Sequence, residues 1–161
     1  LVKKSFRFIK YEILFFLILF NTSLFSQQVE IAAVAYSTIS GFTQYYQISD
    51  RNAFKNNDPR EASYSQTWHS LQTLEALALI NVGYTIGTNN ETFLQVGTDI
   101  LLTGAIRWIV RDGIYQTLLT NSFFNQSLET TAQFEKYGTP YAKFGLLFTV
   151  LIFKYFILPK L

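Results

Sequence analysis

The chain has 161 residues, of which 49% are hydrophobic and 15% charged, with 16 Phe, no Cys and a single His. That length holds one domain, the charged fraction is well below the ~25% of soluble domains, and without cysteine there are no disulfides and no thiolate chemistry. The net charge of +2 does not mark a nucleic-acid binder: four of the 13 Lys/Arg and one of the 11 acids precede residue 27, which leaves nine bases against ten acids, with no basic cluster to neutralise phosphates.

A single histidine also excludes a multi-histidine metal site within one chain. No nucleotide loop or metal-ligand spacing stands out, so neither metal nor cofactor is expected.

At the N-terminus, Lys3, Lys4, Arg7 and Lys10 precede the apolar core Ile-Leu-Phe-Phe-Leu-Ile-Leu-Phe over 13–20. Eight residues rise about 12 Å as a helix, too short for a ~30 Å hydrocarbon core. Basic flank, short core and the polar run from Asn21 to Gln27 are the layout of an export signal over 1–26, with cleavage near Ser26/Gln27. The alternative is an uncleaved N-terminal anchor running to Phe25. Either way the positive end stays inside, and residues after 27 start outside, on the periplasmic side of a bacterial inner membrane.

Residues 29–46 are mildly apolar and read as one short helix, spanning or lying at the interface. Residues 49–65 are the most polar stretch, and Asn56-Asn57-Asp58-Pro59 is turn chemistry, so an exposed loop is expected. A first span is placed at 68–86, rich in helix formers and capped by Gly87. A second covers 93–115 and extends toward Leu119. The short link between them implies an antiparallel hairpin. Residues 121–139 are polar and belong outside the bilayer. A third span, 141–158, starts after Pro140, and Lys143 and Lys154 near its ends are expected to snorkel. Gly83-x-x-x-Gly87 offers a close helix approach. The fold class is therefore all-α: a small helical membrane bundle over 27–161, with about three transmembrane helices plus the short N-terminal helix.

Polar groups inside such spans carry the most information, because a charge at the centre of a membrane helix costs roughly 2.5–3.5 kcal/mol. Gln95, Asp99, Thr103, Arg107 and Arg111 recur every fourth residue, a stripe on one helix face. With Asp112, and with Gln72 and Glu75 of the preceding span, they form a candidate intramembrane polar seam. It either lines a cleft or holds the helices together by ion pairs. A Glu75 contact with Arg107 or Arg111 is expected. His69 opens the first span beside Trp68; imidazole exchanges a proton near neutral pH. His69 and Glu75 are thus the acid/base candidates, although a lone interfacial histidine more often anchors by hydrogen bonding.

Several local motifs recur together: Thr67-Trp68-His69-Ser70-Leu71-Gln72, the run from Ile106 to Tyr115, Tyr137-Gly138-Thr139-Pro140 and the terminal apolar helix. In these the chain resembles a loosely defined group of uncharacterised small integral membrane proteins of Bacteroidetes and their phages, over roughly residues 37–158. Gln116 and Arg111 depart from that group's pattern, which has Asn and an aromatic residue there. The resemblance implies membrane location and no defined activity.

Three functions follow as expectations. The first is a non-catalytic envelope component or subunit of a larger assembly, whose partners are the lipid bilayer and other membrane subunits or further copies of itself. The second is a membrane-embedded hydrolase-like enzyme using His69 and Glu75. The third is an oligomeric ion or proton pathway through Glu75, Asp99 and Arg107.

Overall fold

A computed structural model describes residues 27–90, 92–124 and 139–160. The expected export signal over 1–26 and most of the polar segment after Asn121 lie outside the described residues. Those described form four helices and no strand: α1 Gln28–Lys55, α2 Glu61–Asn89, α3 Phe93–Thr120 and α4 Pro140–Ile152. A π-helical turn, Phe153–Ile157, and a 3-10 turn, Leu158–Lys160, carry α4 onward.

The helix ends follow local chemistry. Thr92 caps α3 with a capping box: its Oγ1 accepts from the Gln95 amide at 3.2 Å, and the Gln95 side chain accepts from the Thr92 amide at 3.0 Å. Gln95 is therefore a helix-start residue as well as the first member of the polar stripe. Thr139 caps α4 ahead of Pro140, whose missing N–H is no loss at that position. At the far end Pro159 cannot donate to the carbonyl of Tyr155. The chain departs from α geometry there, and the Leu158 amide reaches back to the Phe153 carbonyl.

Three expectations are corrected. The N-terminal helix is not short; α1 runs 28 residues. The expected loop over 49–65 shrinks to the turn between Lys55 and Glu61, because Ala53 is buried against the bundle and holds its end of α1 helical. Asn57 takes the left-handed conformation, φ 50°, and the Asp58 amide donates to the Ala53 carbonyl at 2.9 Å. Gly87 is no cap either, since α2 continues through it to Asn89.

α1 is the central helix. It packs extensively on both α2 and α3, while α2 and α3 meet each other only sparsely. They run antiparallel, as their short link requires, but α1 is wedged between them. Its start lies beside the end of α2, where Asn89 Nδ2 donates to Gln28 Oε1 at 3.1 Å. One apolar cluster joins Val29, Ala32 and Tyr36 to Val82 and Ile86 of α2; another joins Ala33 to Leu102 and Ile106 of α3 and Val150 of α4.

Small side chains make the central position possible. Ala33, Ser37 and Gly41 recur every fourth residue and are all buried. A Cβ at Gly41 would sit 2.9 Å from the Arg111 carbonyl oxygen and 2.9 Å from Ile114 Cβ, so α1 and α3 touch almost backbone to backbone there. The Ser37 hydroxyl of this face is satisfied within α1 itself, donating to the Ala33 carbonyl. By contrast a Cβ at Gly83 or Gly87 would meet nothing within 4 Å. The close approach expected for that pair is absent within the described chain and occurs at Gly41 instead.

Among the described residues, two helices are long and apolar enough to cross a membrane, Phe93–Thr120 and Pro140–Lys160. α2, the first expected span, is long enough but interrupted by His69, Gln72, Thr73 and Glu75, and does not qualify on composition. Only 6% of the apolar window on α4 is covered by the rest of the chain, which distinguishes it from the core helix of a water-soluble bundle. Large apolar side chains face outward, among them Leu77, Ile80 and Tyr84 on α2, Ile100 and Leu101 on α3, Phe148 on α4 and Phe156 on the π-helical turn.

The turn between α1 and α2 has its own ion pair. Asp58 accepts from the Arg60 amide at 2.9 Å and from the guanidinium at 2.6 Å. The hydrogen bonds from Arg60 hold the Asp58 carboxyl well below its ordinary 3.8, at about 2. Because that value is depressed by folding, the turn's contribution is complete above the ordinary value and is lost as pH falls through about 2. Carbon NMR of the Asp58 carboxyl should titrate near pH 2, and in Arg60→Ala its midpoint should return toward the ordinary aspartate range.

Candidate functional site: charged clusters between the helices

The charged side chains of the bundle gather at three levels along α3. At the first, Asp99 of α3 and Glu30 of α1 share one ammonium group. Lys154 Nζ lies 2.7 Å from Glu30 Oε1 and 2.8 Å from Asp99 Oδ1. The three side chains are 14%, 4% and 16% exposed for Glu30, Asp99 and Lys154, so the pairs are largely shielded from solvent. The Tyr155 hydroxyl donates to Glu30 Oε1, and Asn90 Nδ2 donates to Asp99 Oδ2 at 2.8 Å. Asn90 also closes the end of α2 by donating to the Ile86 carbonyl at 2.8 Å. All four helical segments thus meet at this one cluster. Lys154 and Tyr155, consecutive residues of the π-helical turn, both reach Glu30.

Asp99 Oδ1 touches Lys154 at ion-pair distance but without hydrogen-bond alignment, and Glu30 Oε2 is buried with no hydrogen-bond partner among the described residues. Two carboxylates against one ammonium leave an excess of one negative charge among the described residues.

The second level, two helical turns further along α3, centres on Arg107. Its Nη2 lies 3.4 Å from Ser40 Oγ and 4.0 Å from Glu75 Oε1, and its guanidinium sits 5.4 Å from the centre of the Tyr36 ring. The expected Glu75–Arg107 approach is present but long. The Arg107 side chain is 38% exposed, so this pair is worth at most about 1 kcal/mol. Glu75→Gln should therefore change unfolding free energy in detergent by less than ~1 kcal/mol; a loss of several would show that Arg107 depends on that carboxylate.

The third level lies near the end of α3. Lys143 of α4 donates to Asp112 Oδ2 at 2.6 Å, and its ammonium lies 5.4 Å from the centre of the Trp108 ring. Arg111 Nη1 approaches Asp112 Oδ1 at 3.9 Å. Lys143 of α4 and Lys154 of the π-helical turn both turn toward acids of the bundle, because the neighbouring helices offer a carboxylate at each height.

The stripe on α3 therefore divides. Asp99 pairs with Lys154 and Asn90, whereas Arg107 pairs across α1; Thr103, between them, donates its hydroxyl to the Asp99 main-chain carbonyl at 2.8 Å and bridges no side chains. Gln72 is exposed on α2. His69 is exposed too, edge-on to Trp68 with ring centroids 3.9 Å apart. It lies about 120° around α2 from Glu75, given ~100° per residue. His69 and Glu75 therefore do not converge on one reacting atom.

Sequence reasoning did not single out Glu30, Asn90 or Ser40 for this cluster, and read Lys154 and Tyr155 only as interfacial residues. Glu30 carried a signal, being the one acid in the otherwise apolar start of α1. Ala33, Ser37 and Gly41 carried another, a small residue at every fourth position.

No family model, curated protein or solved structure matches this chain.

Proposed function

We propose that the chain is a small integral membrane protein of the bacterial inner membrane, with residues after the export signal starting on the periplasmic side, acting as a non-catalytic envelope component or subunit of a larger assembly. The observation that carries this reading is the distribution of side chains. Charges on α1, α3 and α4 turn toward one another in pairs, while large apolar groups on α2, α3 and α4 face outward. Water favours the opposite arrangement; lipid favours this one. α2 serves as the third span, its exposed His69, Gln72 and Thr73 suited to polar contact with another membrane subunit or a further copy.

The test is fractionation of cells expressing the full chain. The protein should stay in the membrane pellet through alkaline carbonate and need detergent to leave it. Recovery as a monodisperse monomer in detergent-free buffer would falsify the reading.

A second reading, an ion or proton pathway, draws support from the three charged levels and from the buried Arg107 Nε, which has no hydrogen-bond partner among the described residues. It expects proton or ion flux in liposomes containing the purified protein, altered by Asp99→Asn; equal leak in protein-free liposomes removes it.

A further inference from the structure

One strip of α2 touches no other helix. Ser70, Leu74, Leu77, Asn81, Tyr84 and Thr88 follow one another at alternating steps of four and three residues, and all six are exposed, Leu77 by 58% and Tyr84 by 71%. The alternation averages 3.5 residues, the spacing at which two α-helices wind about each other. Ser70 and Thr88 close their hydroxyls on α2 itself, donating to the Gln66 and Tyr84 carbonyls at 2.9 and 3.0 Å. Asn81 does not: its side-chain amide has no hydrogen-bond partner among the described residues. It lies five residues before Ile86, about 7.5 Å inside the expected span. A carboxamide left bare at that depth costs free energy until something pairs with it. The strip also bears no charge. Between residues 62 and 89 the one formally charged side chain is Glu75, which turns to Arg107 within the bundle.

We infer that a second copy of the chain docks on this strip, the two α2 helices lying parallel about a two-fold axis with Asn81 hydrogen-bonded to Asn81. This rests on the reading of α2 as a membrane span and names the partner of that span. Insertion gives every copy the same orientation, so in a symmetric pair each residue beside the axis meets its own duplicate. An ammonium or a carboxylate there would repel itself. A carboxamide carries both donor and acceptor, so two of them satisfy each other. Leu74, Leu77 and Tyr84 then pack above and below the amide pair, and an uncharged strip sets no repulsion against a like partner.

The test uses the full chain in membranes of the cells that express it. The chain has no cysteine, so one introduced thiol reports one position. Oxidation should link Leu77→Cys and Tyr84→Cys into disulfide dimers. Leu79, also 50% exposed, lies about 160° round the helix from Leu77, and Leu79→Cys should stay monomeric. Energy transfer between labelled copies in liposomes then measures affinity. Asn81→Leu should weaken the dimer about 5- to 30-fold. Asn81→Gln, which keeps the amide, and Gln72→Leu, which removes an exposed amide off the strip, should each stay within about threefold of the wild type. Asn81 is exposed, so neither of its substitutions disturbs the core. Protein found in the soluble fraction overturns the span reading and this inference with it. Protein held in the membrane whose Leu77→Cys and Tyr84→Cys forms stay monomeric, or link no better than Leu79→Cys, overturns the inference alone. So does Asn81→Leu pairing as tightly as the wild type.

Discussion

Lys154→Ala is expected to destabilise the bundle by about 3–5 kcal/mol. Lys154 is the ammonium that Glu30 and Asp99 share, and Asp99 is only 4% exposed. Its removal leaves two carboxylates facing each other in a shielded interior, and the large cost is that of the stranded charges, not of the lost contacts. The control follows from the same physics. Combining Lys154→Met with Glu30→Gln and Asp99→Asn removes every charge together and should recover most of the loss, since a buried ion cluster and its neutral replacement differ far less than an intact and a broken one. Unfolding by SDS titration in mixed micelles measures all of these. If Lys154→Ala unfolds within 1 kcal/mol or so of the wild type, solvent reaches the cluster and the helices are held by something else.

Gly41→Ala is expected to cost about 1–3 kcal/mol, and Gly41→Leu to prevent accumulation of the folded protein. The added Cβ would press on the Arg111 carbonyl oxygen and on Ile114 Cβ, each at 2.9 Å. One of these is main chain, which no rotamer change can move aside, so α1 and α3 must separate. Separation strains the Glu30–Lys154–Asp99 cluster, which depends on the same pair of helices. Gly83→Ala and Gly87→Ala supply the contrast, since both face open space. They should be neutral or stabilising by up to about 1 kcal/mol through helix propensity. The same substitution therefore changes sign between α1 and α2. Equal behaviour at Gly41 and Gly83 in the detergent unfolding assay would mean that α1 is not wedged against α3.

Both expectations place the fold's weak points on α1, the helix whose sequence is least conspicuous. Its apolar character is mild and its residues are small, which made it look like an accessory element beside the greasier segments. In lipid that ranking inverts. In the membrane setting proposed above, the greasiest segments would face acyl chains, whereas the helix that touches most of the others needs short side chains, so that backbones can approach. Hydropathy therefore marked α3 and α4 by their composition and gave no measure of α1's position.

Much of the local structure was legible residue by residue. Pro140 announced the start of α4, and Asn56-Asn57-Asp58-Pro59 the turn between α1 and α2. The four-residue spacing from Gln95 to Arg111 announced a polar stripe on α3, and the cost of charge in lipid marked Asp99, Arg107 and Asp112 as groups in need of partners. All of this is short-range: helix periodicity, capping and solvation act within a turn or two of chain, so they are written where they act. The identity of the partners was not. Asp99 meets a lysine 55 positions later and, through it, an acid 69 positions earlier, because α1 inserts between α2 and α3 and α4 closes over its start. Which helix inserts depends on the summed fit of four surfaces, and that sum exists only in the packed bundle.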